Sequence, residues 1–171
     1  VEHLALYSMK GERKRDFPPA LSYQQPWWKK NKQIEDYMGR LCYVSTLGKF
    51  DASTLLLVPI ESEYIANQNE SQKLFNDYYS AMENLMNIHC DFDLGDEQII
   101  EEIGSVKEKS LQIGEMRYHY VVIPELLTLR ESTVNHLLEF SKKGGKLIIL
   151  GNYPKYVDAI PSHLLEQLKP H

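Results

Sequence analysis

Residues 53–60 read STLLLVPI. Five consecutive apolar or β-branched positions close on a proline. The run is too short for a helix of ordinary length, and turn residues bound it on both sides. A strand that buries both faces is written this way, because a one-sided strand would alternate. Two later stretches repeat the pattern, YHYVVIP at 118–124 and KLIILG at 146–151. A fourth, CDFDL at 90–94, is shorter and more polar, as suits an edge.

Helical periodicity fills the intervals. Ile34, Tyr37, Met38, Leu41 and Val44 recur at helical spacing, predicting a helix over 31–47 that Gly48 stops. Leu74, Tyr78, Met82, Leu85 and Met86 predict a second over about 70–87. Asp96 is placed to cap a short helix, EQIIEEIG, which Gly104 ends. The polar, alternating stretch from Val106 to Tyr118 predicts a two-stranded excursion with Gly114 at or near its bend. Thr128 and Glu131 have capping-box spacing before a helix that runs to about Lys143, where Gly144 and Gly145 close it. Residues 161–168 predict a last short helix.

Strands that bury both faces and alternate with helices imply a parallel sheet covered on both sides. Right-handed crossovers then leave few topologies. The expectation is an α/β fold, a flavodoxin-like three-layer sandwich with a mostly parallel sheet. The strand at 55–58 lies inside it and the strand at 90–94 at one edge. An irregular N-terminal segment precedes it, which divides the chain into 1–31 and an α/β domain over 32–171.

The 171 residues suffice for a substantial core. Apolar residues make up 43% and charged residues 25%, a globular balance. A formal net charge of −5 argues against nucleic acid as a partner. No apolar run approaches the roughly 20 residues that span a bilayer, so no membrane partner is expected. Cys42 and Cys90 lack CxxC spacing and read as buried thiols. The chain begins at Val1 without a leader pattern, as an excised or processed piece would, and its compartment is not legible.

Open parallel sheets bind ligands beyond the carboxyl ends of their strands. Those ends carry PIESEY after 58, PELLT after 123 and GNYP after 150. Glu61 and Glu63 would repel a phosphate, and neither GxGxxG nor GxxxxGK[ST] occurs, so no nucleotide or flavin cofactor is expected. The turn Pro124-Glu125-Leu126 has no nucleophile and no small flanking residues, unlike a nucleophile elbow. The scattered histidines offer no metal site. Glu61, Glu63 and Glu125 remain as strand-end carboxylates, the basis of an alternative reading as a small hydrolase.

The N-terminal stretch 7–28, YSMKGERKRDFPPALSYQQPWW, is dense in charge and aromatic rings. Tyr23, Trp27 and Trp28 offer flat faces for sugar C–H groups. Arg13, Arg15, Asp16, Gln24 and Gln25 offer directional donors and acceptors. Carbohydrate binding and simple packing of the loop both fit this composition. Residues 1–7, VEHLALY, predict a short strand without a partner nearby.

Three pieces together resemble one family: HLALYSMKGERKRDFPPALSYQQPWW at 3–28, LLLVPIESEY at 55–64 and residues 91–129. They look like the region after the catalytic barrel in large bacterial glycoside hydrolases of the α-L-rhamnosidase type, family 106 and its relatives. The later part is also similar to the flavodoxin-like, class I glutamine amidotransferase-like domain of family 42 β-galactosidases. There the domain serves trimer assembly and performs no amidotransfer. The resemblance implies a noncatalytic accessory domain whose partner is the parent's barrel, compatible with homo-oligomer contacts and with a secreted or periplasmic parent. It implies that residues 1–7 descend from a barrel strand. Glu12, Arg13, Lys14, Arg15 and Asp16 would then help shape the parent's sugar site, and no catalytic residue carries over.

Overall fold

A computed structural model describes Lys10, Gly11 and residues 23–168. The chain divides into two units, Val1–Phe50 and Asp51–His171. In the first, a 3-10 turn at Trp28–Lys30 leads into α1 (Asn31–Ser45). The stripe that the spacing predicts is present, but Ile34, Tyr37, Met38, Leu41 and Val44 are all exposed. Cys42 lies on the same helix and is exposed too, correcting its reading as a buried thiol. The strand expected over 1–7 lies outside the described residues.

The second unit holds the sheet. It runs β1 (Thr54–Leu57), α2 (Ile60–Ile65), α3 (Gln68–Asn87), β2 (Phe92–Gly95) and α4 (Glu97–Ile103). Three short strands follow: β3 (Gly104–Lys107), β4 (Ser110–Ile113) and β5 (Met116–Tyr118). Then come β6 (Tyr120–Ile123), β7 (Thr128–Leu129), α5 (Glu131–Lys142), β8 (Lys146–Ile149), β9 (Tyr156–Val157), β10 (Ile160–Pro161) and a 3-10 turn at Leu164–Leu168. The main sheet has the order β2-β1-β6-β8, parallel throughout. Counting only its own strands, this is 2-1-3-4, the flavodoxin-like order, in a three-layer α/β sandwich.

Alternation along β1 decides which layer each side chain joins. Leu55 and Leu57 enter the larger core with Val121, Ile123, Ile100 of α4 and Val134, Leu137 and Phe140 of α5. Leu56 points the other way and packs with Val122 of β6 and Ala81, Tyr78, Met82 and Leu85 of α3. Placing α3 on one face and α4 and α5 on the other is what right-handed crossovers require when the chain first steps outward from β1 and then returns past it.

Local signals account for most boundaries. Asn67 caps α3, accepting from the N–H groups of Asn69 and Glu70 while Glu70 reaches back to the Asn67 N–H. Asp96 caps α4 as its spacing predicts. After α5, Gly144 N–H bonds Ser141 O and Gly145 N–H bonds Phe140 O, a Schellman close with Gly144 at positive φ.

Other expectations are corrected. The capping box expected at Thr128 and Glu131 does not form. Thr128 is in β7, its hydroxyl accepts from the Ala159 N–H, and Arg130 stands at the N-cap without a side-chain capping bond. The stretch after Val58 forms the short helix α2, an element the periodicity does not announce. The excursion after α4 has three antiparallel strands, since its polar alternation continues through Met116–Tyr118. The strand at 146–149 is an edge rather than a buried interior strand, with Lys146 and Ile148 exposed. Pro161 closes a β9-β10 hairpin, and only Leu164–Leu168 coils beyond it.

Candidate functional site

The sheet fixes where a ligand crevice would lie. The chain leaves β1 toward α2 and α3 and leaves β6 toward α5, on opposite faces. The gap between these two exits is the topological switch point. Here it is filled by the protein. Ser62, on α2, is fully buried, and its Oγ accepts hydrogen bonds from the N–H groups of Leu127, at 3.0 Å, and Thr128, at 3.2 Å. The same hydroxyl donates to Thr128 O at 3.2 Å. One serine thus satisfies three backbone groups of the opposite exit loop.

The three strand-end carboxylates are drawn to separate partners. Glu61 accepts from Arg130 Nε at 2.8 Å. Glu63 Oε2 accepts from the Ser71 hydroxyl at 2.6 Å, tying α2 to the first turns of α3. Glu125 pairs with Lys73 of α3 and accepts from Asn152 Nδ2 at 3.2 Å. The Lys73 hydrogen bond holds the Glu125 carboxyl below the usual carboxylate range, and Glu125 in turn raises Lys73. Gly151, at positive φ, makes room for this pair, because a Cβ there would sit 2.6 Å from Glu125 Oε2.

Arg130 is the centre of a larger network that sequence reasoning missed. Besides Glu61 it donates from Nη1 to Glu101 at 2.8 Å, and its backbone N–H donates to Glu97 Oε2 at 2.8 Å. The two carboxylates hold the guanidinium above its ordinary pKa. Glu97, only 2% exposed, is one of the largest fully buried side chains. Burial first, and the Glu61 carboxylate after it, push its pKa up to about 7 against the opposing Arg130 N–H and Thr133 hydroxyl. The first turn of α5 is served from elsewhere too, since Asp158 Oδ1 accepts from the Glu131 N–H at 3.3 Å. Nothing in the local sequence announced this cluster, because its members come from four separate segments. A glutamate in the first turn of a short helix usually reads as a solvated partner for the helix dipole.

Two clefts border these groups. One of about 520 Å³ is lined by Val58, Pro59, Ile60, Glu63, Phe75, Tyr78 and Tyr79. Within it the Phe75 and Tyr79 rings are 5.0 Å apart and tilted by 38°. The other, also about 520 Å³, is lined by Glu61, Glu101, Arg130, Glu131, Ser132, Asn135 and Asp158.

In the first unit the described aromatic residues are open. Tyr23 is 78% exposed, Trp27 40% and Trp28 39%, and Gln24 is exposed beside them. Glu12, Arg13, Lys14, Arg15 and Asp16 lie outside the described residues. Among the described residues no group of three or more His, Cys, Asp or Glu side chains could hold a metal ion. No described helix is long and apolar enough to cross a membrane.

Together the fold and the site define a three-layer α/β domain whose switch point is closed by its own side chains. No protein-family profile matches the chain, and no curated protein matches it. Among solved structures, it is similar to the crystal structure of β-galactosidase from Bifidobacterium adolescentis, with a TM-score of 0.42 and 20% identity. That similarity covers 59% of this chain and 42% of the β-galactosidase chain, less than half the latter's length.

Proposed function

We propose that this chain is a noncatalytic accessory domain of a bacterial glycoside hydrolase, of the α-L-rhamnosidase type, that packs against the catalytic barrel of its parent. The observation that carries the noncatalytic part is the filled switch point. Ser62 closes the crevice from within, while Glu61, Glu63 and Glu125 are each committed to a partner on another element. A hydrolytic pair needs two carboxyls facing one bond with room for substrate between them. The exposed apolar stripe of α1 supports the packing part, since an amphipathic helix in a folded protein ordinarily buries that stripe. The parent's type rests on the sequence resemblance alone.

Aryl rhamnosides and aryl galactosides test the reading. The purified chain should release no aglycone above the blank. Hydrolysis abolished by Glu61→Gln or Glu125→Gln would establish the small-hydrolase alternative instead. Reading the coding frame upstream of Val1 tests the parent: a barrel with two strand-end glutamates is expected there, and a different class of domain overturns the assignment.

The exposure of Tyr23, Trp27 and Trp28 favours a second reading, an independent carbohydrate-binding surface. Titration calorimetry with oligosaccharides decides it. Heat at millimolar ligand that disappears in Trp27→Ala supports binding, and no heat at that concentration counts against it.

A further inference from the structure

The Arg130 network contains more acid than its cation neutralises. The guanidinium is shared between Glu61 and Glu101, while Glu97 takes the backbone N–H of Arg130. Glu61 Oε1 takes the Arg130 bond, and Glu61 Oε2 is buried with no donor. Glu61 and Glu97 converge on Arg130, the first on its Nε and the second on its backbone N–H, each at 2.8 Å. Two ionised carboxylates placed so, one of them fully buried, would repel each other and leave a buried lone pair unmet. One proton removes both costs.

We propose that Glu97 and Glu61 hold a single proton between them, Glu97 donating it to Glu61 Oε2, and that this proton latches α2 to α4 and to the start of α5. The proton comes from solvent and returns to it, so no other reactant is involved. The groups that act on Glu97 are Glu61 from α2 and, at the start of α5, Arg130 and the Thr133 hydroxyl; Glu101 is paired with Arg130, and Asp158 is engaged with the Glu131 N–H. Arg130 is thus balanced by Glu61 and Glu101, and a charge on Glu97 would have no counter-ion among these groups. Burial raises the Glu97 carboxyl to about 7, which places the change near neutrality. With the proton in place, α2 is fastened through Glu61 as well as through Ser62. Once it leaves, like charges press α2 away from α4, while Ser62 continues to hold the exit loop.

Carbon-13 NMR of the side-chain carboxyls in the 171-residue chain tests this. Glu97 should titrate near neutrality and should appear as a neutral acid a full pH unit below its midpoint. In Glu61→Gln the midpoint should fall by about one pH unit or more, because the repelling charge is gone. In Glu97→Gln, whose amide copies the protonated acid, the protection factors of α2 amides, corrected for base-catalysed exchange, should stay constant across neutrality, whereas in the unaltered chain they should fall above it. A Glu97 that titrates in the ordinary carboxylate range overturns the proposal, as does a midpoint unmoved in Glu61→Gln. Glu61 lies partly exposed at the cleft, so this variant keeps the measurement available if Glu97→Gln fails to fold.

Discussion

The hydroxyl of Ser62 lies 3.0 Å from the amide nitrogen of Leu127, a residue 65 positions later in the chain. That single contact joins the exit of β1 to the exit of β6. With its companion at Thr128 it bridges the two strand exits that flank the topological switch point.

Ser62→Ala therefore removes more than one hydrogen bond. It strands the buried N–H groups of Leu127 and Thr128, and an unmet buried donor costs about 1–3 kcal/mol. The expected loss is roughly 2–4 kcal/mol in urea denaturation of the whole chain, with Ser62→Thr losing more than the alanine change wherever the added methyl finds no room. A loss below about 0.5 kcal/mol would show that water enters and replaces the hydroxyl.

The β9-β10 hairpin turns on Asp158 and Ala159, both at positive φ. This is the backbone of a two-residue turn that prefers Asp-Gly or Asn-Gly. Asp158 tolerates the conformation and uses its carboxylate on α5, but Ala159 gains nothing comparable from its methyl. Ala159→Gly should stabilise the protein by about 0.5–1 kcal/mol, since relief of the left-handed strain exceeds the entropy that glycine adds to the unfolded chain. Thermal melts of the two proteins at one pH decide it.

Glu97 makes stability depend on pH. Its folded value, about 7, lies above the ordinary 4.5 of the unfolded chain. Between these values the folded protein holds a proton that the unfolded chain has lost. Stability should consequently fall as pH rises from about 4.5 to about 7 and level off above, by about 3 kcal/mol in all at about 1.4 kcal/mol per pH unit. Glu97→Gln should flatten this slope and be the more stable protein above neutrality. Urea midpoints measured at several pH values would show it, and an unchanged slope in the variant would assign the effect to other groups.

The sequence exposed the sheet because burial on both faces leaves an unmistakable record. TLLL and YVVI stand out as apolar runs, KLII does so although it lies at an edge, and chain order with right-handed crossovers does the rest. Capping was legible where the cap is local, as at Asp96 and Gly144. It misled at Thr128, where the same spacing occurs but the segment pairs with β9 and the hydroxyl serves Ala159. Gly104 was read correctly as the end of α4, though for a different reason than a left-handed cap. Its φ is ordinary, and a Cβ there would sit 2.2 Å from Ile100 O. Of the candidate residues, Glu61, Glu63 and Glu125 could be named from the sequence because strand ends are predictable. Their partners Arg130, Ser71 and Lys73 could not, since long-range ion pairs leave no periodic trace. Glu97 was hidden most completely, because a charged residue in a first helical turn looks like surface until the fold buries it.

One row of the sheet has a consequence for how the protein breathes. Leu94, Leu56, Val122 and Ile148 lie side by side across β2, β1, β6 and β8. α3 covers the inner two completely, whereas Leu94 is 56% exposed and Ile148 42%. Amide hydrogen exchange should follow that division. The inner strands should exchange only through global opening, and the outer two through cheaper local excursions that leave the centre intact. The sheet would then come apart from its rims inward, with the hydrogen bonds between β1 and β6 the last to exchange.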